Sequence, residues 1–328
     1  MNPLTQIGAL ALAALVTTSF AARAAEFPDK PVTLVVPFAA GGPSDKIARD
    51  LAEALRKPLG GTVIIDNTVG AGGTIGAARV ARATPDGYTL LVHHIGLATA
   101  PALYKKLPYK TPDDFAFLGL INEAPSTLIG KPMLAANSFA ELRQWIAANE
   151  GKVNLANAGA GSASHLCGLM LQAALKSKMI PVPYKGTAPA MTDLIGGQVD
   201  LMCEQATNAV PQIEAKKVKV YGLTGTERLS LPALAQVPTL SEAGLAGFNV
   251  QVWHGLYAPK GTPPAVLAKL NAALKTALQD PELIKRQEAL GLRIVNDGRL
   301  EPAGHKKFVE QEMLRWSKVI KDSGETVE

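Results

Sequence analysis

Two glycine turns carry the residues best placed to do chemistry. The first, Phe38-Ala39-Ala40-Gly41-Gly42-Pro43-Ser44-Asp45, follows the apolar run Val32–Val36 and leads into a segment with helical spacing. The second, Asn157-Ala158-Gly159-Ala160-Gly161-Ser162-Ala163-Ser164-His165, lies more than a hundred residues later, after a second short apolar run. Between a strand and a helix, bare main-chain N–H groups and the positive end of a helix dipole can meet an anion. Gly41 and Gly42 allow positive φ and close approach by a ligand. Ser44 is expected to cap the helix, and Asp45 suits its positive end. In the second turn Gly159 and Gly161 free the backbone, Ser162 and Ser164 supply hydroxyls, and Asn157 supplies an amide. His165 falls in the first helical turn, where the dipole disfavours an imidazolium, so a neutral ring is expected. Taken singly, either turn could be a tight bend with no ligand. Two of them imply a protein that clamps a small acid.

Other strand ends add polar groups, since ligands of open α/β sheets sit beyond the carboxyl ends of strands. Lys185 follows Pro183-Tyr184 and is either a cation for an acid or a solvated surface lysine. Glu204 and Gln205 follow Cys203 and could bind an amine or hydroxyl, or cap a nearby loop. Gly70-Ala71-Gly72-Gly73-Thr74-Ile75-Gly76 invites a dinucleotide reading, but the third glycine of that pattern would fall at Ile75. No glycine run is followed by the lysine–serine pair of a phosphate-binding loop. His93-His94 is a weak metal pair, because neighbours on a strand point to opposite faces and no further ligand lies at the right spacing. No metal and no cofactor is expected. The serine elbow Gly-x-Ser-x-Gly is absent, and the Ser162, Ser164 and His165 group lacks an evident Asp partner.

The chain of 328 residues begins with an apolar run, Ile7–Val16, followed by the small-x-small site Ala22-Arg23-Ala24. This reads as a signal peptide, residues 1–24, cut after Ala24 and leaving a soluble exported protein. The run is too short for a membrane span, which needs about 20 residues. The net charge of +5 falls to +4 once Arg23 is removed, and aromatics make up 5% of residues. Neither favours nucleic acid as a partner. Cys167 and Cys203 would form a disulfide or remain two buried thiols.

Strand-length apolar runs alternate with helical periods. Val32–Phe38, Thr62–Asn67, Thr89–His94 and Phe115–Ile121 read as strands, then Thr127–Lys131, Val153–Ala156, Ile180–Tyr184, Val199–Cys203, Val218–Leu223 and Gln251–Ala258. Ile47, Leu51 and Leu55 mark one helix, and Ser138-Phe139-Ala140-Glu141 is a capping box opening another. Such alternation means an α/β fold whose mostly parallel sheets are covered on both faces. No polar linker separates the halves. Crossings near Asn122–Pro125 and Gly247–Val250 would make lobe 1 residues 25–124 and 249–328, and lobe 2 residues 125–248.

The chain resembles the receptors of tripartite tricarboxylate transporters, the Bordetella uptake receptor family. The likeness runs through Pro31–Asp45, Gly70–Gly76, Pro85–Leu91, Asn157–His165, Val182–Ala190, Asp193–Asp200 and Val237–Gly244. It implies a two-lobed periplasmic binding protein of the type II, Venus-flytrap kind that closes on its ligand. In that family main-chain amides and bridging waters hold a carboxylate. By position this implies Phe38, Ala40, Gly41, Gly42, Ser44 and Asp45, with Ala71 and Gly72 beside them. From the second lobe it implies Asn157, Gly159, Ser162, His165, Lys185 and Glu204. Glu204 stands where many relatives carry Asp, and His93-His94 where small residues are usual. The implied partners are a small carboxylate and the membrane permease of a tripartite transporter, with a monomer as the default state. Two rivals stay open: a sensory receptor presenting the bound acid to a signalling partner, and an exported hydrolase using Ser162, Ser164 or His165.

Overall fold

The computed structural model describes residues 27–327; the signal-peptide reading of residues 1–24 lies outside them. The described residues open with β1 (Val32–Val36), α1 (Pro43–Leu59), β2 (Val63–Asn67), a 3-10 turn at Ala71–Gly73, α2 (Thr74–Ala81), β3 (Thr89–His94) and α3 (Gly96–Leu103). The long strand β4 (Phe115–Gly130) follows. Then come α4 (Phe139–Ala148), β5 (Asn154–Asn157), α5 (Ala163–Leu175), β6 (Ile180–Pro183), α6 (Thr187–Ile195), β7 (Leu201–Gln205), α7 (Ala206–Glu214) and β8 (Lys219–Leu223). The chain ends with β9 (Gln251–Pro259), α8 (Pro264–Ala277), α9 (Pro281–Glu288), β10 (Arg293–Ile294) and α10 (Pro302–Ser323).

Strands lie in the order β2-β1-β3-β9-β4-β7-β5-β6, with β8 and β10 also on β4. Pairing is parallel at both ends of this path, β2-β1-β3 and β7-β5-β6, and antiparallel around β4 and β9. Burial on both faces explains the unbroken apolar strands. Val32, Leu34 and Val36 pack with Ile47, Leu51 and Leu55 of α1 and with Leu270 and Leu274 of α8. Val35, one residue out of phase, joins the opposite core with Trp253 and Trp316. On the β7-β5-β6 side Ile129, Ala156 and Met202 meet Met191 and Leu194 of α6, while Leu155 and Leu201 meet Leu166 and Leu171 of α5. Cys167 of α5 and Cys203 of β7 are joined by a disulfide.

Three sequence expectations are corrected. Phe115–Ile121 and Thr127–Lys131 are one strand, not two. The polar stretch between them looked like a break, but each group is satisfied in place. Asn122 Nδ2 donates to Gln287 Oε1 at 2.7 Å, and Glu123 pairs with Arg293 and Arg299. The first half of β4 pairs with β9, and the second with β7 and β8, so one strand joins both parallel ends of the path. Ser44 does not cap α1: Gly42 is the N-cap and Pro43 occupies the first helical position. Of the two turn glycines only Gly41 has positive φ, at +79°, while Gly42 is extended at −78°. The box at Ser138 holds, with Glu141 N donating to Ser138 Oγ at 3.2 Å, although Glu141 Oε2 accepts from Asn137 N instead of the cap residue.

Candidate functional site

Four helix starts border one cavity. Gly42, Pro43 and Ser44 bring the start of α1, and Ser162, Ala163 and Ser164 that of α5. Thr187 brings the start of α6, while Glu204 and Gln205 lead into α7. The first amides of a helix have no carbonyl one turn back, so these starts offer donors with the dipole behind them, except where Pro43 has no N–H and where His165 N already donates to Ser162 Oγ. Phe38, His94, Ser126, Ala158 and Cys203 complete the wall. Among the described residues no lysine or arginine lines it.

The first turn is locked from behind. Gly41 N and Arg49 Nε both donate to Asp45 Oδ2 at 2.9 Å, and Asn67 Nδ2 donates to Asp45 Oδ1 at 3.0 Å. Burial works against the Asp45 charge, yet the hydrogen bonds from Arg49, Gly41 and Asn67 hold its carboxyl below the ordinary range. With both oxygens taken up, Asp45 shapes the turn and does not line the cavity. The second turn is braced in the same way. Gly159 N donates to Asn157 Oδ1 at 2.9 Å, Gly161 N to His165 Nδ1 at 3.2 Å, and Ala158 N to Ser164 Oγ at 2.9 Å. Ser162 caps α5, accepting from His165 N at 3.3 Å.

A buried relay fixes the Ser44 proton. Asn122 gives its amide hydrogen to Gln287, so Asn122 Oδ1 accepts from His254 Nδ1, at 3.0 Å. The bare His254 Nε2, 3.1 Å from Ser44 Oγ, then accepts the serine hydrogen. Burial, with the neighbouring His94, pushes His254 well below its usual value and keeps it neutral. His94 is pushed down to about 3 by burial, stacks on Phe38 with centroids 4.5 Å apart, and lies beside His93. Among the described residues no group of three His, Cys, Asp or Glu has metal-binding geometry.

The structure thus brings Phe38, Gly42, Ser44, Ser162 and Glu204 to the main cavity. Ala71, Gly72, Gly159 and the exposed Lys185 line a second cavity that shares Phe38 and Ala158 with it. Ala40 and Gly41 are exposed on the turn. Asn157 and His165 line a third cavity beside the C-terminal segment, where His165 Nε2 lies 3.7 Å from Glu325 Oε1. His165 is neutral as expected, though burial is the cause. Sequence reasoning missed Ser126, Thr187 and His254. Thr187 had a signal, following Gly186 at a strand-to-helix turn; His254 had only its polarity within the apolar run Val252–Tyr257.

The two turns meet. Tyr104 Oη lies 2.7 Å from the Ala160 carbonyl and 2.8 Å from that of Ala71, so it donates to one or the other across the gap. Lys46 Nζ of α1 donates to Asn208 Oδ1 of α7 at 2.6 Å. Tyr104→Phe removes the first contact and is expected to weaken acid binding about 3- to 10-fold, from about 0.5–1.5 kcal/mol for one net hydrogen bond. Titration calorimetry reads this; unchanged affinity would show that the contact does not hold the turns together.

Residues 47–325 match the family model described as the tripartite tricarboxylate transporter family receptor. The chain belongs to this family. A member from Agrobacterium vitis, the UPF0065 protein in the TAR-I ttuE-ttuC' intergenic region, is 47% identical over 298 residues, covering 91% of this chain and 86% of its own. The solved periplasmic binding protein BugD is 46% identical with a TM-score of 0.88, over 92% of this chain and all of that one. MatC from Rhodopseudomonas palustris, solved with bound malate, is 41% identical with a TM-score of 0.85, over 90% and 100% of the two chains. The receptor fold of this family is therefore the frame that holds the four helix starts together. No helix among the described residues is long and apolar enough to cross a membrane.

Proposed function

We propose that this chain is a periplasmic receptor that captures a small carboxylate between two lobes and delivers it to the permease of a tripartite transporter. The observation that carries the reading is the convergence of four helix starts on a cavity with no lysine or arginine in its wall. Such a wall holds an anion by main-chain donors and dipoles alone. Family membership and the malate held by MatC support the same class of ligand. In this reading residues 1–24 direct export, residues 25–124 and 249–328 form one lobe, and residues 125–248 form the other. The receptor works as a monomer, and the acid favours the closed arrangement by binding it more tightly than the open one.

A thermal-shift screen over mono- and dicarboxylates, hydroxy acids, aromatic acids and amino acids tests this. At a hundred times its Kd, a fitting acid is expected to add about 2.7 kcal/mol of stability. No shift with any acid would contradict the reading. A hydrolytic alternative is favoured by one observation, the Ser44–His254–Asn122 relay, whose geometry suits a nucleophile, a base and an orienting amide. Turnover of p-nitrophenyl acetate that is lost in Ser44→Ala would establish it; turnover no faster than buffer removes it.

A further inference from the structure

One peptide unit of the second turn is gripped on both sides, and both grips lead to the end of the chain. The Ala160 carbonyl faces the Tyr104 hydroxyl at 2.7 Å, and the Gly161 N–H donates to His165 Nδ1 at 3.2 Å. Tyr104 is in turn held by its own main chain. Val327 N donates to the Leu103 carbonyl at 2.8 Å and Lys105 N to the Val327 carbonyl at 3.0 Å, so Val327 and Tyr104 form a parallel bridge. His165 is approached from the same segment, with its Nε2 3.7 Å from Glu325 Oε1. Gly324 makes this path possible. At φ +70° it ends α10, so that Glu325 reaches the start of α5 and Val327 the end of α3.

This arrangement fixes the proton on His165. A main-chain N–H can only donate, so the Nδ1 that receives Gly161 is bare. Burial keeps the ring neutral, which leaves its one hydrogen on Nε2, facing the Glu325 carboxylate. A separation of 3.7 Å is too long for a direct hydrogen bond but within ion-pair range. A negative charge there favours the tautomer with its hydrogen on the nearer nitrogen. Asp322 lines the same cavity, but among the described residues only Glu325 comes within ion-pair reach of the ring.

We propose that the C-terminal strap Glu325–Val327 orients the Ala160–Gly161 peptide, with Glu325, His165 and Tyr104 as positioning residues of the acid site. The proposal rests on the receptor reading above, in which the start of α5 helps to hold the carboxylate. Ala160–Gly161 immediately precedes the cap residue Ser162, and Ser162, Ala163 and Ser164 line the main cavity. A rotation of that peptide therefore turns the amides that follow it. Gly161, at φ +80°, has no side chain to resist the rotation, so Tyr104 and His165 supply the hold. Neither ring lines the main cavity, and both act through the main chain between them.

The test uses the full mature protein, Glu325→Ala, Glu325→Gln and a chain ending at Gly324. Long-range nitrogen–proton NMR spectra of the histidine rings near neutral pH read the tautomer with no ligand present. The wild type should show His165 with Nδ1 bare and Nε2 protonated, the signal being assigned by its loss in His165→Asn. Hydrogen exchange at the Gly161 amide should be about 3-fold faster in Glu325→Ala and about 10-fold faster in the shortened chain, for the partial and the full loss of one hydrogen bond. Glu325→Gln should stay close to wild type, because its amide oxygen still accepts from Nε2. L-malate, titrated calorimetrically into each protein, should lose affinity in the same order. A His165 ring protonated on Nδ1 in the wild type would overturn the proposal. So would Gly161 exchange that is unchanged in both Glu325→Ala and the shortened chain. Where circular dichroism shows the shortened chain unfolded, the Glu325 variants decide, since that side chain is 40% exposed and its replacement leaves no buried hole. Failure of malate and of every acid in the wider screen would remove the receptor reading, while the ring and exchange results would still judge the strap.

Discussion

Gly72→Ala is expected to weaken binding of the best acid by about 100-fold or more, because the binding-competent closed state becomes scarce. A Cβ on Gly72 would lie 1.7 Å from the Ala160 carbonyl oxygen, a main-chain atom that no rotamer change can move aside. The residue also has φ +60°, where an alanine is strained by about 1–2 kcal/mol. The Gly70–Gly73 turn and the Ala158–Gly161 turn must then part, and the Tyr104 contact with Ala160 is lost with them. Gly41→Ala separates strain from collision. Gly41 has a similar φ of +79°, but a Cβ there meets nothing within 4 Å. Its loss of affinity should be several-fold at most, with both variants folded by circular dichroism. X-ray scattering with saturating acid should show Gly72→Ala failing to contract as the wild type does. Equal affinities for the two variants would contradict a role for turn-to-turn contact in binding.

Removing the disulfide is expected to lower stability by about 3–4 kcal/mol in the chain-entropy model. Cys167 and Cys203 are 36 residues apart, and both are fully buried. The bond ties α5 to β7, so it joins the helix start at Ser162 to the strand that ends in Glu204 and Gln205. The Cys167→Ala/Cys203→Ala double variant is the cleaner test, since serine would leave two buried hydroxyls in an apolar core. Its melting temperature should fall by roughly 10 °C, scaling about 2–4 °C per kcal/mol for a chain of this size. A fall of a degree or less would show that the pair is not bonded in solution or that the reduced protein is no looser.

Much of the frame was legible because burial writes itself into sequence. Val32–Phe38 and Thr89–His94 read as strands, and β1 and β3 occupy Val32–Val36 and Thr89–His94, since both faces of those strands are covered. Ile47, Leu51 and Leu55 marked α1 because one stripe of that helix meets the sheet. The long strand β4 was not legible. Asn122–Pro125 read as a crossing between two strands, and the single strand is explained only when His254, Gln287, Arg293 and Arg299 arrive from far along the chain to satisfy Asn122 and Glu123. The site divides in the same way. The turns at Gly41–Asp45 and Asn157–His165 announced themselves by local composition. Residues that act through distant partners did not: Ser44 looked like a cap because its histidine lies 210 positions away. Asp45, Asn157 and His165 read as ligand groups, while the structure uses their side chains to brace the turns.

The most direct test of the central claim is a crystal structure with the acid that gives the largest thermal shift. The account predicts carboxylate oxygens within about 3.2 Å of main-chain nitrogens at the starts of α1 and α5, an ordinary N–H···O reach. The same structure should show the Tyr104–Ala160 contact closed and no lysine or arginine on the carboxylate. An acid bound elsewhere, or held by side-chain cations with the four helix starts empty, would contradict it.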